Sequence, residues 1–246
     1  MNFFLRPILL VSINFLFISQ LFAQIDSTYF TAIRENAVKL HNKSLQAQLP
    51  IYNGKVYEPF PYYIKDDGHS YFLSGTMLKG SVVFDGVLYK DVDLKYNLVK
   101  DELVLQYYDK VSSIILDEAR VDAFSLANNN FVKLKNSSYR GLSPDGYYHL
   151  LYNGTIKLLS KRKKNIIESV NDRRVERNIK STTRYYILKG EVYHQINSKR
   201  ALFKVLKQND NQSQQYLASG KHDFKRDPEN TILSLVKFYD KNIGGK

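Results

Sequence analysis

The segment from Lys79 to Leu116 constrains the fold more than any other part of the chain. Apolar and polar residues alternate through much of it, so that Val92, Leu94 and Tyr96 would point to one side of a strand. Period-two alternation is typical of β-strands that bury one face. The pair Asp85-Gly86 separates two apolar runs, which is a strong signal for a hairpin turn of type I′. The segment therefore predicts three or four antiparallel strands around which the remaining sheet is built.

Other stretches extend this sheet and add helices at both ends. Strand-like patterns recur between residues 51 and 160 and again in 184–197. Apolar residues recur at helical spacing in 26–46 and after Ser198, and Pro228 is suited to the first turn of a last helix. Strands followed by a block of helices predict an α+β fold, an antiparallel curved β-meander sheet with an N-terminal helix and a C-terminal block of helices.

The predicted organisation is a signal peptide followed by a single domain. The signal peptide covers 1–23 and the α+β domain covers 24–246. Three helices are expected after the last strand, over 199–207, over 211–219 and from residue 228 onward. In chain order, the expected parts of the domain are an N-terminal helix (24–48), the antiparallel meander (51–160), a basic segment (161–183), a hairpin (184–197) and the C-terminal helices (198–243).

The N-terminal residues indicate export. A single positive charge at Arg6 precedes the apolar run 8–22, and Ala23 supplies a small residue for cleavage. This arrangement is typical of a secretory signal peptide, and the run is short and polar for a transmembrane helix. We expect cleavage after Ala23 and a periplasmic or secreted chain without a transmembrane helix. An uncleaved anchor is the alternative.

Composition and motifs exclude several kinds of chemistry. The chain has no cysteine, which excludes disulfides, thiolate metal sites, a cysteine nucleophile and acylation as a lipoprotein. The five histidines show no metal-ligand spacing, and no phosphate-binding or dinucleotide-binding glycine motif is present. The run 66–70 contains Asp, His and Ser but has the pattern of a turn. Asp101 and Glu102 could form an acid/base pair with a distant carboxylate, but both lie in a hairpin break and are expected to be solvated. The sequence thus predicts no catalytic residue, no metal and no cofactor.

Positive charge is concentrated in one segment of a chain whose formal net charge is +12. Residues 157–184 hold ten Lys or Arg against three acidic residues. We expect a mobile loop or a projecting helix there, which would bind anionic lipid, glycan or another envelope protein. Export disfavours nucleic acid, and a merely solvated surface is the alternative. The candidate anion-binding or partner-binding residues are Lys161, Arg162, Lys163, Lys164, Arg173 and Arg174.

Two stretches carry a resemblance to other proteins. Phe84-Asp85-Gly86-Val87-Leu88-Tyr89 with the run that follows it to Gln106, and the tail from Ser198 to Asp240, resemble uncharacterised exported proteins of Gram-negative bacteria. The resemblance implies an exported cell-envelope protein and supplies no functional residue. We expect a non-enzymatic binding or accessory protein. The alternatives are an adaptor subunit of an envelope complex and a hydrolase whose site has no recognised motif.

Overall fold

The structure, a computed structural model, describes residues 31, 34, 36–38, 40–41, 44–66, 68–135, 138, 140–171, 173–206 and 223–242. The predicted signal peptide and the predicted helix 211–219 lie outside the described residues. The chain divides into two units, Met1–Pro50 and Ile51–Lys246. In the first unit the described residues from 31 to 45 are helical, as predicted for 24–48, and a 3₁₀ turn follows over Gln46–Gln48.

The second unit is built on one antiparallel sheet, which has eleven strands in the described part of the chain. Its spatial order is β1-β5-β4-β3-β2-β6-β7-β8-β9-β10-β11, so two meanders meet where β2 pairs with β6. The strands are β1 (Lys55–Val56), β2 (Leu78–Phe84), β3 (Val87–Asn97), β4 (Glu102–Gln106), β5 (Ser113–Ile115), β6 (Val121–Leu126), β7 (Asn129–Leu134), β8 (Gly146–Asn153), β9 (Lys157–Asn171), β10 (Arg174–Lys189) and β11 (Val192–Ile196).

Two helices follow the sheet, α1 (Lys199–Leu206) and α2 (Pro228–Asn242). The Ser198 hydroxyl accepts from the Ala201 amide at 3.1 Å and the Asp227 carboxylate accepts from the Asn230 amide at 3.1 Å, so each helix has a polar N-cap. The antiparallel curved sheet and the C-terminal helix are confirmed. The protein is richer in sheet than a balanced α+β fold, because its strands are long and its described helices few.

The tight turns follow the sequence signals closely. Asp85 and Gly86 have φ of 50° and 74°, the positive pair that a type I′ turn requires. The next hairpin turns at Ala127 and Asn128, whose φ values are 46° and 64°, one residue earlier than the asparagine run suggests. In both hairpins the local sequence sets the register of the strands on either side.

The helices cover one face of the sheet where β8 to β11 lie side by side. Leu202, Ile232 and Leu235 are completely buried against Leu158 and Ile187 of the sheet. The opposite face of these strands has its own apolar cluster, which packs around Tyr148, Tyr186 and Leu142. This part of the sheet is therefore buried on both faces and supplies much of the core.

The basic segment 161–183 is neither a loop nor a helix, and the expectation for it is wrong. It forms most of the hairpin of β9 and β10, paired residue by residue from Leu158–Ile187 to Asn171–Arg174. The strand pattern is hard to recognise in the sequence because one face carries long charged side chains in place of apolar ones. Those side chains find polar partners from other elements, which only the folded chain brings near.

Candidate functional site

A buried ion pair joins the turn between β3 and β4 to the start of the long hairpin. The Lys161 ammonium donates to Asp101 Oδ2 at 2.6 Å and to the Tyr147 carbonyl at 3.1 Å. The hydroxyl of Tyr96 donates to Asp101 Oδ1. Lys161 is only 6% exposed. Asp101 is therefore a bridging acceptor and not the solvated carboxylate expected from its position in a hairpin break.

Close contact at Gly146 permits this ion pair. A Cβ atom at Gly146 would lie 1.9 Å from Asp101 Oδ2 and 2.5 Å from the Lys161 ammonium. Gly146 also has φ of 118°, a conformation that side-chain-bearing residues rarely adopt. Glycine at the first position of β8 thus leaves the space in which the carboxylate and the ammonium meet.

A cleft of about 630 Å³ lies beside the ion pair. Its walls come from the residues before β1, the turn between β3 and β4, the end of β5 with the 3₁₀ turn that follows, and the start of β8. The lining residues are Asn53, Gly54, Lys55, Lys100, Asp101, Glu102, Leu103, Ile115, Leu116, Asp117, Glu118, Arg120 and Tyr147.

Three of the seven charged residues that line the cleft, Asp101, Glu118 and Arg120, are neutralised by ion pairs within the fold. The Glu118 carboxylate pairs with Lys133 at 3.2 Å, and the Arg120 guanidinium pairs with Asp85. The Asp117 carboxylate accepts from the Ala119 amide at 2.9 Å as the cap of the 3₁₀ turn. These contacts hold the walls of the cleft in place. The lining residues that do not take part in them remain available to bind a ligand.

Two polar atoms in the cleft wall are buried without a hydrogen-bond partner among the described residues. They are Glu102 Oε2 and the Tyr147 hydroxyl. Tyr147 is 1% exposed, and its pKa is raised by burial and then by the carboxylates of Glu118, Asp101 and Asp117. The hydroxyl therefore stays protonated and can donate. Buried polar atoms in native proteins nearly always have a partner, so these two point to a ligand group in the cleft.

Two more of the predicted basic residues hold the fold together. Arg162 donates to both carboxylate oxygens of Glu229 on α2, at 2.6 Å each. The Lys164 ammonium donates to the carbonyls of His69 and Tyr71, at 2.8 Å each. Burial lowers the pKa of Lys164. Together with Lys161, three of the six candidate anion-binding residues are therefore engaged in contacts within the fold.

The other predicted basic residues lie on the surface. Lys163, Arg173 and Arg174 are exposed, the first in β9 and the others at the turn of the hairpin. The register places two further exposed cations, Lys180 and Arg184, on the same face as Lys163. The prediction missed these two residues. Strand alternation extended through residues 161–184 would have identified them.

His149 and Ser160 are cross-strand neighbours, and Glu229 approaches them through Arg162. These are residue types used by hydrolases. Ser160 and His149 are buried, and neither of them lines the cleft. Burial, and then the charge of Arg162, lowers the pKa of His149 to about 4. We interpret the group as a packed polar core.

Comparison of the chain with family models, with curated proteins and with solved structures gives no match. Within the described residues, no group of His, Asp and Glu is arranged to hold a metal ion. The described helices are too short or too polar to cross a membrane. The geometry of the cleft and of the long hairpin is therefore the basis for a function.

Proposed function

We propose that this protein is an exported, non-enzymatic binding protein of the cell envelope that holds a small polar ligand in the cleft. The observation that supports a ligand is the pair of buried, unpartnered atoms, Glu102 Oε2 and the Tyr147 hydroxyl, in one wall. Export is supported by the signal-peptide pattern of residues 1–23 and by the resemblance to exported proteins. Binding is favoured over catalysis because Asp101 and Glu118 are engaged in ion pairs.

The groups available in the cleft define the chemistry of the ligand. Glu102 can only accept hydrogen bonds when ionised, the neutral Tyr147 hydroxyl can donate or accept, and Lys55 and Lys100 can only donate. A hydroxyl group matches this mixture because it donates to a carboxylate and accepts from an ammonium. The volume of about 630 Å³ suits a molecule of small-ligand size. A neutral mono- or disaccharide fits these requirements.

The test is a titration of the full mature chain with neutral mono- and disaccharides, monitored by calorimetry. The variant Tyr147→Phe removes the hydroxyl and keeps the ring. It should bind about 5- to 12-fold more weakly, because a neutral buried hydrogen bond contributes about 1–1.5 kcal/mol. Its free energy of unfolding should be unchanged or higher, since the hydroxyl has no partner within the described residues.

Tyr148→Phe is the matched control. Tyr148 is the next residue in β8 and its hydroxyl donates to the Pro144 carbonyl on the other side of the strand. This variant should bind saccharide like the wild type and should lose some stability. Equal binding by Tyr147→Phe and the wild type, or no saccharide binding by the wild type, would contradict the proposal. An intact mass that begins at Gln24 in envelope fractions would test export separately.

A further inference from the structure

The hairpin of β9 and β10 extends well beyond the strands on either side of it. Pairing with β8 stops at Ser160, and pairing with β11 begins only at Tyr185. The segments 161–171 and 174–184 continue past these points, which corresponds to roughly 35 Å of strand. Lys164 is held by the carbonyls of His69 and Tyr71, and the Lys65 amide donates to the Arg177 carbonyl at 2.8 Å. These contacts brace the extension from Lys164 up to the pair Glu168–Arg177, close to its tip.

The tip exposes apolar side chains on both faces. Val170 and Val175 are direct cross-strand partners and are 76% and 51% exposed. Ile167 points to the opposite face and is 47% exposed. Exposed apolar side chains that are clustered, in contrast to scattered ones, mark contact surfaces.

Cations surround these apolar residues. Lys163, Arg174, Lys180 and Arg184 are exposed on the face that carries Ile167, since paired residues share a face and alternate residues repeat it. The two carboxylates of this hairpin that the structure describes have other partners, with Glu168 bound to Arg177 at 2.6 Å and Glu176 bound to Lys65 at 3.1 Å. In the described part of the chain no ion pair involves the four cations.

We infer that the extended part of this hairpin docks on an anionic phospholipid surface with the face that carries Ile167. Ile167 would enter the boundary between headgroups and acyl chains, and the cations along the same face would contact lipid phosphates. The positive charge is spread along a strand face and has one sign, which is complementary to a continuous anionic surface. Docking through the hairpin uses none of the cleft residues, so it is independent of the proposed ligand binding.

The first test is co-sedimentation of the mature chain with vesicles of phosphatidylcholine alone or mixed with phosphatidylglycerol. Wild type should bind the anionic vesicles, and the binding should weaken as salt rises. The triple variant Lys163→Gln, Lys180→Gln and Arg184→Gln should bind about 100-fold more weakly, since each cation near the surface contributes about five-fold.

A matched control removes the same charge elsewhere. Arg200, Lys204 and Lys237 are exposed on α1 and α2, and their replacement by Gln should leave vesicle binding within about five-fold of wild type. Equal loss in both triple variants would show that only net charge matters and would overturn the inference. Absence of vesicle binding by wild type, or binding only to a protein partner, would also overturn it.

The second test uses the absence of tryptophan from the chain. Ile167→Trp places a single fluorescent reporter near the tip on the face that carries the cations, and Lys237→Trp places one on the exposed side of α2. Anionic vesicles should shift the emission of the tip reporter to the blue and leave the helix reporter unchanged. An unshifted tip reporter in a sample that sediments with vesicles would show that another surface binds them and would overturn the inference.

Discussion

The base and the tip of the β9–β10 hairpin share one continuous register and differ almost completely in environment. At the base, Leu158 and Ile187 are completely buried beneath the helices. At the tip, Val170 and Val175 are more than half exposed. The strand geometry is the same along its length, so the difference comes from what lies beside and above the strands. Burial is therefore a property of the neighbouring elements more than of the strand itself.

The same contrast separates two lysines that lie on one face of β9. Lys161 is 6% exposed because the turn between β3 and β4 covers it and supplies Asp101. Lys163, two residues further along, is exposed. Similar residues at adjacent positions of one face thus have opposite roles, one within the fold and one at the surface.

The largest effect is expected when the buried lysine loses its charge. Lys161→Gln should lower the free energy of unfolding by about 3–4 kcal/mol, toward the lower end of the range for a buried ion pair, because Asp101 loses its charged partner and keeps the hydroxyl of Tyr96. Lys163→Gln should change it by less than about 0.5 kcal/mol, as for other exposed sites. Chemical denaturation of the two variants and the wild type measures both changes in the free energy of unfolding. Similar denaturation midpoints for the two variants would mean that Lys161 is not buried in solution. The same conclusion would follow if a variant with Gln at all four positions 161–164 were as stable as the wild type.

Replacing an apolar side chain by alanine should also reduce stability more near the base of the hairpin than at its tip. Leu235→Ala removes a completely buried side chain of α2 above the base and should cost about 2–4 kcal/mol. Val170→Ala, at the exposed tip, should cost less than about 1 kcal/mol. Urea denaturation gives both values. If the order is reversed, α2 is not docked on the sheet.

A smaller effect is expected from His149, which lies across from Ser160 at the base. Its pKa is lowered to about 4 in the folded chain, against an ordinary value of 6.5. The unfolded chain then binds a proton as the pH falls below about 6.5 while the folded chain does not, so stability is lost between about pH 6.5 and 4. The loss should be on the order of 2–3 kcal/mol.

Denaturation at a series of pH values tests this expectation. His149→Phe keeps an aromatic ring against Phe72 and Phe131 and has no titratable group. The variant should lack this part of the pH dependence. An unchanged profile would assign the acid sensitivity to other groups.

Much of the architecture could be predicted from local patterns. The Asp85-Gly86 turn, the N-caps at Ser198 and Asp227, and the buried stripe of α2 depend on residues near each other in the chain, so the sequence specifies them directly. The long hairpin was missed because its covered face is charged and its partners are distant. Arg162, for example, pairs with Glu229, which is 67 residues away.

The candidate cleft, like the long hairpin, depends on residues that are distant in the chain and could not be predicted from local patterns. The sequence predicts that Glu102 is solvated beside Asp101 in a hairpin break and that Tyr147 is an ordinary strand residue, so the local patterns do not bring the two together. They share a wall because the sheet curves until the turn between β3 and β4 meets the start of β8, with Gly146 leaving space for the contact. The sequence alone determined periodicity, turns, caps and the distribution of charge, since these depend on neighbours along the chain. Tertiary structure decided which charges are buried and which polar atoms face the cleft, because long-range packing sets solvent access.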